Sequence, residues 1–211
     1  MKHAGQISTH APAGMHSPAR WLAGLLVPAL LLSASCSLTR PVRDTATRHL
    51  LDATVPGRPG SASQPSLALA KPVLPAYLDR QQRVARAPGG TLTELDDELW
   101  AEPLDAGIAR VLAANLSRLT GSGAIRPSGG FVSLDYDALL ELRVDRFDPD
   151  PTGTVILEAS WRIQPVTGDD TAFHPFRAEV PVAATTPTAA DQLAAMNEAL
   201  ALLARAIARG L

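Results

Sequence analysis

The sequence predicts an α/β fold: a mixed, largely antiparallel sheet with two main helices packed on it, in a single domain. Three observations carry this. Residues 136–147 and 152–164 alternate apolar and polar side chains on either side of Asp148-Pro149-Asp150-Pro151, the period of strands with one buried face. Residues 104–119 and 193–207 repeat apolar residues every three or four positions, the stripe of a packed helix. Strand-like runs stand before and after the first stripe, which places helices against a sheet. At 211 residues the chain suits one ordinary core plus a targeting segment.

In chain order, residues 47–53 with His49-Leu50-Leu51 form a short candidate strand, and 55–65 collect Pro, Gly and Ser and read as a loop. Residues 66–73 alternate Leu67 and Leu69 with Ala68 and Ala70, a second strand. Residues 83–87 and 91–95 flank Pro88-Gly89-Gly90, so a hairpin is the economical reading. The helical stripe Leu104, Ile108, Val111, Leu112, Leu116, Leu119 begins near Pro103, tolerated in a first turn, and Gly121 and Gly123 end it. In the first long strand Leu140, Leu142 and Val144 oppose Glu141, Arg143 and Asp145; in the second Val155, Leu157, Ala159 and Trp161 oppose Ile156, Glu158 and Ser160. Residues 173–182, after the polar turn Thr167-Gly168-Asp169-Asp170, complete an antiparallel meander. The last helix, 188–209, carries Leu193, Met196, Leu200, Leu203 and Ile207, with Thr188 and Asp191 placed as a capping box.

The N-terminus has a different character. Trp21 to Leu32 is an apolar run preceded by an acid-free stretch with Lys2 and Arg20 and followed by Ser33-Ala34-Ser35, the layout of a secretory signal over residues 1–35. The run is shorter than the roughly 20 apolar residues of a spanning helix and is broken by Pro28. It ends at Cys36, the sole cysteine, which can form no internal disulfide. Leu32-Ser33-Ala34-Ser35-Cys36 resembles the lipobox of bacterial lipoproteins, with small residues next to the cysteine and Ser33 where leucine is usual. Cys36 is thus the expected lipidation site, residues 36–46 a tether, and 47–211 the periplasmic domain. By the same resemblance Ser37 implies export to the outer membrane.

Composition excludes several classes. Without Lys2 and Arg20 the chain holds 17 basic against 21 acidic side chains and no basic run, which argues against nucleic-acid binding. His49 and His174 stand far apart without neighbouring ligands, unlike a zinc site. Asp145, Asp148 and Asp150 lack the spacing of a calcium loop, and their prolines favour a turn. Glu94, Asp96, Asp97, Glu98 and Glu102 read as an acidic cluster before the helix, favourable near its N-terminus. No nucleophile elbow or phosphate-binding loop is present, and neither cofactor nor metal is expected.

One stretch is more specific. Leu74-Pro75-Ala76-Tyr77-Leu78-Asp79-Arg80, Arg83-Val84-Ala85-Arg86, Trp100-Ala101-Glu102-Pro103-Leu104 and Ala114-Asn115-Leu116 together resemble the PqiC family of ABC-type transport auxiliary lipoproteins. The resemblance extends to Glu158-Ala159-Ser160-Trp161 and the last helix. It implies an anticodon-binding-domain-like fold and a non-enzymatic lipoprotein at the periplasmic face of the outer membrane. The implied partners are an MCE-domain protein and its inner-membrane transporter, in lipid traffic and membrane integrity; homo-oligomeric rings are also implied. Residue by residue, Tyr77 and Trp100 read as core aromatics and Pro75 and Pro103 as chain-direction residues. Asp79 and Arg80 are the candidate partner contacts on a loop. The competing readings are a periplasmic small-molecule or glycan-binding module and an envelope hydrolase.

Overall fold

The longest ladder among the described residues joins β6 (Ala138–Pro149) to β7 (Val155–Pro165), antiparallel, with Leu142 opposite Trp161 and Leu140 opposite Ile163. This is a computed structural model describing residues 45–57, 66–129, 135–169, 171–182, 184 and 186–211. The signal segment, Cys36 and most of the tether lie outside the described residues. β7 pairs antiparallel with β8 (His174–Val180), completing the expected meander. On the other side of β6 lies β2 (Leu67–Leu69), parallel to both β6 and β5 (Ile125–Pro127), giving the order β5-β2-β6-β7-β8. A second sheet holds β1 (Thr47–His49), β4 (Leu92–Trp100) and β3 (Gln82–Arg86) in the order β1-β4-β3. Its β3–β4 pair is the expected hairpin, while β1 runs parallel to β4.

Two helices pack on the sheets, as the stripes predict. Helix α1 (Leu104–Thr120) buries Ile108, Val111, Leu112 and Leu116 completely, and Gly121 closes it at φ 74° with its N–H on Ser117 O. That left-handed turn suits glycine, which lacks a Cβ to clash. Helix α2 (Ala189–Ala208) packs on α1 and on β6–β8 and buries Met196, Leu200, Leu203 and Ile207.

The capping box forms as predicted: Asp191 N–H donates to Thr188 Oγ1 at 3.2 Å and Thr188 N–H to Asp191 Oδ2 at 2.9 Å. The Thr188 hydroxyl, then its N–H, hold the Asp191 carboxyl below its ordinary range. A depressed folded value means that this stabilisation is complete above the unfolded pKa of about 3.9 and lost as pH falls through the folded one. Thr188→Ala removes the N-cap and is expected to lower the urea midpoint near neutrality. Urea midpoints of wild type and variant should converge on acidification.

Three departures from the sequence reading have physical causes. Beyond His49 the first strand loses its ladder because helix side chains take over its backbone. Arg110 donates to Leu51 O at 2.7 Å, Arg118 to Ala53 O at 2.7 Å, and the Asn197 carbonyl oxygen accepts from Asp52 N–H at 2.9 Å. β4 runs on to Trp100, so Glu94 to Glu98 lie in a strand and do not serve a helix N-terminus. In β6 the register shifts between Val144 and Arg146, a bulge that changes the phase of the alternation. Phe147 becomes the core residue at 1% exposure, and Asp148, expected in a turn, is buried at 0% within the strand. The turn itself is built on Asp150, whose Oδ1 accepts from Thr152 N–H at 2.8 Å and Thr154 N–H at 2.9 Å.

Candidate functional site

The family-like segments 74–80 and 100–104, twenty residues apart in sequence, meet at one groove. Pro75 opens a turn in which Leu78 N–H donates to Pro75 O at 2.9 Å and Arg80 N–H to Leu78 O at 2.9 Å. Leu78, 3% exposed, pins the turn to the core and leaves Asp79 outside and Arg80 half-buried. The opposite wall begins where β4 ends: Trp100 N–H donates to Gln81 O at 2.8 Å and Ala101 N–H to His49 O at 2.8 Å. Asp79, Arg80, Trp100, Glu102, Pro103 and Leu104 line a groove of about 350 Å³. Trp100 and Leu104 are largely buried, so its floor is apolar and its rim charged.

Most of that rim charge is already matched. Arg80 pairs with Glu94, and Arg110 grips Glu102 through Nε at 3.0 Å and Nη2 at 2.6 Å. Lys71 pairs with Asp105 at 2.6 Å, and its pKa is raised by that carboxylate and more weakly by Asp79. Asp79 is exposed: its N–H donates to Pro75 O at 3.3 Å, while its carboxylate makes no hydrogen bond or ion pair among the described residues. Of the two predicted contact residues, then, the structure leaves Asp79 available and neutralises Arg80.

Beneath the groove, two further arginines of the family-like sequence act as anchors. Arg83, 2% exposed, donates to Glu98 Oε2 at 2.9 Å and to Gln192 Oε1 of α2 at 2.8 Å, and its guanidinium lies 5.8 Å from the Trp100 ring centroid. His49 Nε2 lies against the same Glu98 carboxylate. Arg86 donates to Asp148 from Nε at 3.2 Å and Nη2 at 3.3 Å, Arg146 Nε donates at 3.2 Å, and Tyr77 O–H at 2.7 Å. Burial first, then the bond to Asp148, pushes the Tyr77 hydroxyl well above its ordinary pKa. Tyr77 is thus a tether between the groove turn and β6, not only a core aromatic.

Sequence reasoning missed the Asp148 node because two of its three partners, Arg86 and Tyr77, are 62 and 71 residues away and the bulge that turns it inward leaves no periodic trace. No group of three or more His, Cys, Asp or Glu residues placed to hold a metal occurs among the described residues. No described helix is long and apolar enough to cross a membrane.

The model of the ABC-type transport auxiliary lipoprotein component matches residues 49–208, spanning both helices and the groove. The chain belongs to this family. Two solved structures share the fold. An uncharacterized protein aligns with a TM-score of 0.63 at 21% identity, covering 79% of this chain and 98% of its own. Protein XCC0632 from Xanthomonas campestris, under the family model DUF330, aligns with a TM-score of 0.62 at 18% identity, covering 77% of this chain and 93% of its own. No curated protein matches the chain. Membership of the auxiliary lipoprotein family carries a lipid-anchored, transporter-associated role and gives the groove a context.

Proposed function

We propose that the protein is an outer-membrane lipoprotein subunit of an MCE-type intermembrane lipid transport system, catalysing no reaction and contributing to membrane integrity. The observation that carries this reading is the family match across residues 49–208, whose family-like segments converge on one groove. In this reading residues 1–35 are a signal peptide, Cys36 is lipidated, 36–46 tether the domain, and residues from 47 on form the periplasmic domain. Acyl chains contribute about 0.8 kcal/mol per buried methylene, so a multiply acylated Cys36 holds the domain at the membrane without a spanning segment. A palmitate analogue is expected to label wild type and not Cys36→Ala; equal labelling refutes the anchor.

The groove is the proposed contact for the MCE-domain protein, with Asp79 supplying the uncompensated charge and Arg80, held by Glu94, shaping the wall. The MCE-domain protein encoded in the same genome should co-purify with the wild-type protein from membranes. If it is absent from both pull-down and co-purification, the transport reading is abandoned. Asp79→Lys should reduce recovery about tenfold, the effect of losing roughly 1.4 kcal/mol at an interface. The Asp79 side chain is exposed and makes no hydrogen bond or ion pair among the described residues, so thermal stability should hold in that variant.

A further inference from the structure

A second cavity, of about 470 Å³, lies where the end of α2 meets the β7–β8 hairpin, apart from the groove. We propose that it binds a small organic anion with an apolar body, such as an alkyl or aryl carboxylate, sulfonate or phosphate. Its volume falls in the range of small-molecule clefts, roughly 300–1,000 Å³.

The apolar part of the site is given by Trp161, Ile163 and Ala206. Trp161 is 8% exposed, opposite His174 across the two strands, and their rings stack with centroids 4.7 Å apart and planes tilted by 34°. A side chain at Gly210 would come within 3.3 Å of the indole Cη2, so glycine there lets the chain end close over the ring edge.

The sign of the ligand follows from the charges. Among the described residues no carboxylate side chain lines the cavity, and Arg209 does. One turn earlier Arg205 is paired with Glu198 at 2.9 Å, whereas Arg209 is exposed and has no ion pair among the described residues. A cation near the end of a helix complements the backbone dipole, which accounts for its position. Among the described residues no acceptor takes any of its five guanidinium donors. Of the other polar side chains in the wall, Thr171 spends its proton on Ile163 O at 2.8 Å, which leaves the exposed His174 imidazole beside Arg209. A neutral polar ligand such as a glycan therefore finds few convergent donors, and a cation meets Arg209. An anion with an apolar tail satisfies both halves of the cavity.

The test uses the full-length protein in phosphatidylcholine nanodiscs, titrated with octanesulfonate and followed by Trp fluorescence, with protein-free nanodiscs subtracted. Saturable binding is expected, about tenfold weaker in Arg209→Glu and about tenfold weaker for octyltrimethylammonium, as befits one exposed charge contact turned from attraction to repulsion. Ala206→Phe, which fills the cavity from its half-exposed wall, should abolish binding while leaving the circular dichroism unchanged. Absence of saturable binding overturns the proposal. So does equal affinity for the cationic analogue, or for Arg209→Glu folded as wild type. Replacing the disc lipid by phosphatidylglycerol separates the sources of the anion: competition identifies a lipid headgroup, and unchanged binding identifies a free amphiphile. The outcome is independent of the transport reading, because no partner protein enters the assay.

Discussion

Asp148→Ala is expected to lower the unfolding free energy by about 3 kcal/mol, the scale of removing one partner from a buried ionic cluster. Asp148 is fully buried and accepts from Tyr77, Arg86 and Arg146, so truncation leaves a phenol and two guanidinium groups facing a void. Arg86 and Arg146 keep 26% and 18% of their side chains in solvent, which lets them rehydrate in part and holds the cost at the lower end of its range. Tyr77→Phe removes a single neutral donor and leaves both ion pairs, for about 1 kcal/mol. A raised folded pKa makes the Tyr77 contribution complete below the unfolded value of about 10 and lost as pH climbs toward the folded one. The gap between wild type and Tyr77→Phe should therefore narrow in alkaline buffer. Urea midpoints of the two single variants and the double variant decide the matter: a loss under 1 kcal/mol for Asp148→Ala would refute the anchoring role. Because Tyr77 carries the turn that presents Asp79, the same variant should also weaken capture of the MCE-domain protein. That second loss joins the stability of the fold to the geometry of the groove.

The parts of the fold legible in the sequence are those whose pattern is local. The alternation of Leu140, Leu142 and Val144, the stripes of α1 and α2, the capping box and the Pro-Gly-Gly hairpin each depend on neighbours within a few residues, and each stands as read. β5, only three residues long, draws its existence from pairing with β2 and has no period of its own to display. In β2 the alternation of Leu and Ala suggests one buried face, yet Leu67, Ala68 and Leu69 are each 2% exposed, so both faces of this interior strand are covered. The acidic run before α1 misled for a related reason. Glu94 and Glu98 carry the same charge whether they face a helix end or a row of arginines, and only the closing of the hairpin puts Arg80 and Arg83 beside them. Within the candidate site, Asp79 and Arg80 were legible as loop residues with a family likeness. Their meeting with Trp100 and Glu102 follows from the hairpin, which was also legible, whereas the anchors beneath them span up to 109 residues and were not.

The most distant of those anchors gives the second large effect. Arg83 ties the small sheet to α2: Glu98 on β4 takes one nitrogen, Gln192 in the first turn of α2 takes another, and the guanidinium sits near the Trp100 ring. Burial pulls its pKa down while Glu98 pushes it back up, so the charge is retained by its partner and not by water. Arg83→Ala should cost about 3 kcal/mol, since it opens a cavity and strands Glu98 beside His49. Arg83→Met keeps most of the volume and should recover about half of that, separating packing from charge. Glu98→Gln leaves the guanidinium buried with an uncharged partner and should cost about 2 kcal/mol. A purely local packing role would raise exchange evenly across the small sheet. A tether between sheet and helix predicts faster amide hydrogen exchange in the first turn of α2, near Gln192, in all three variants, with the far end of the helix unchanged. Uniform protection along α2 in Arg83→Ala would show that the helix is held by its apolar stripe alone, and the anchoring account of Arg83 would then be withdrawn.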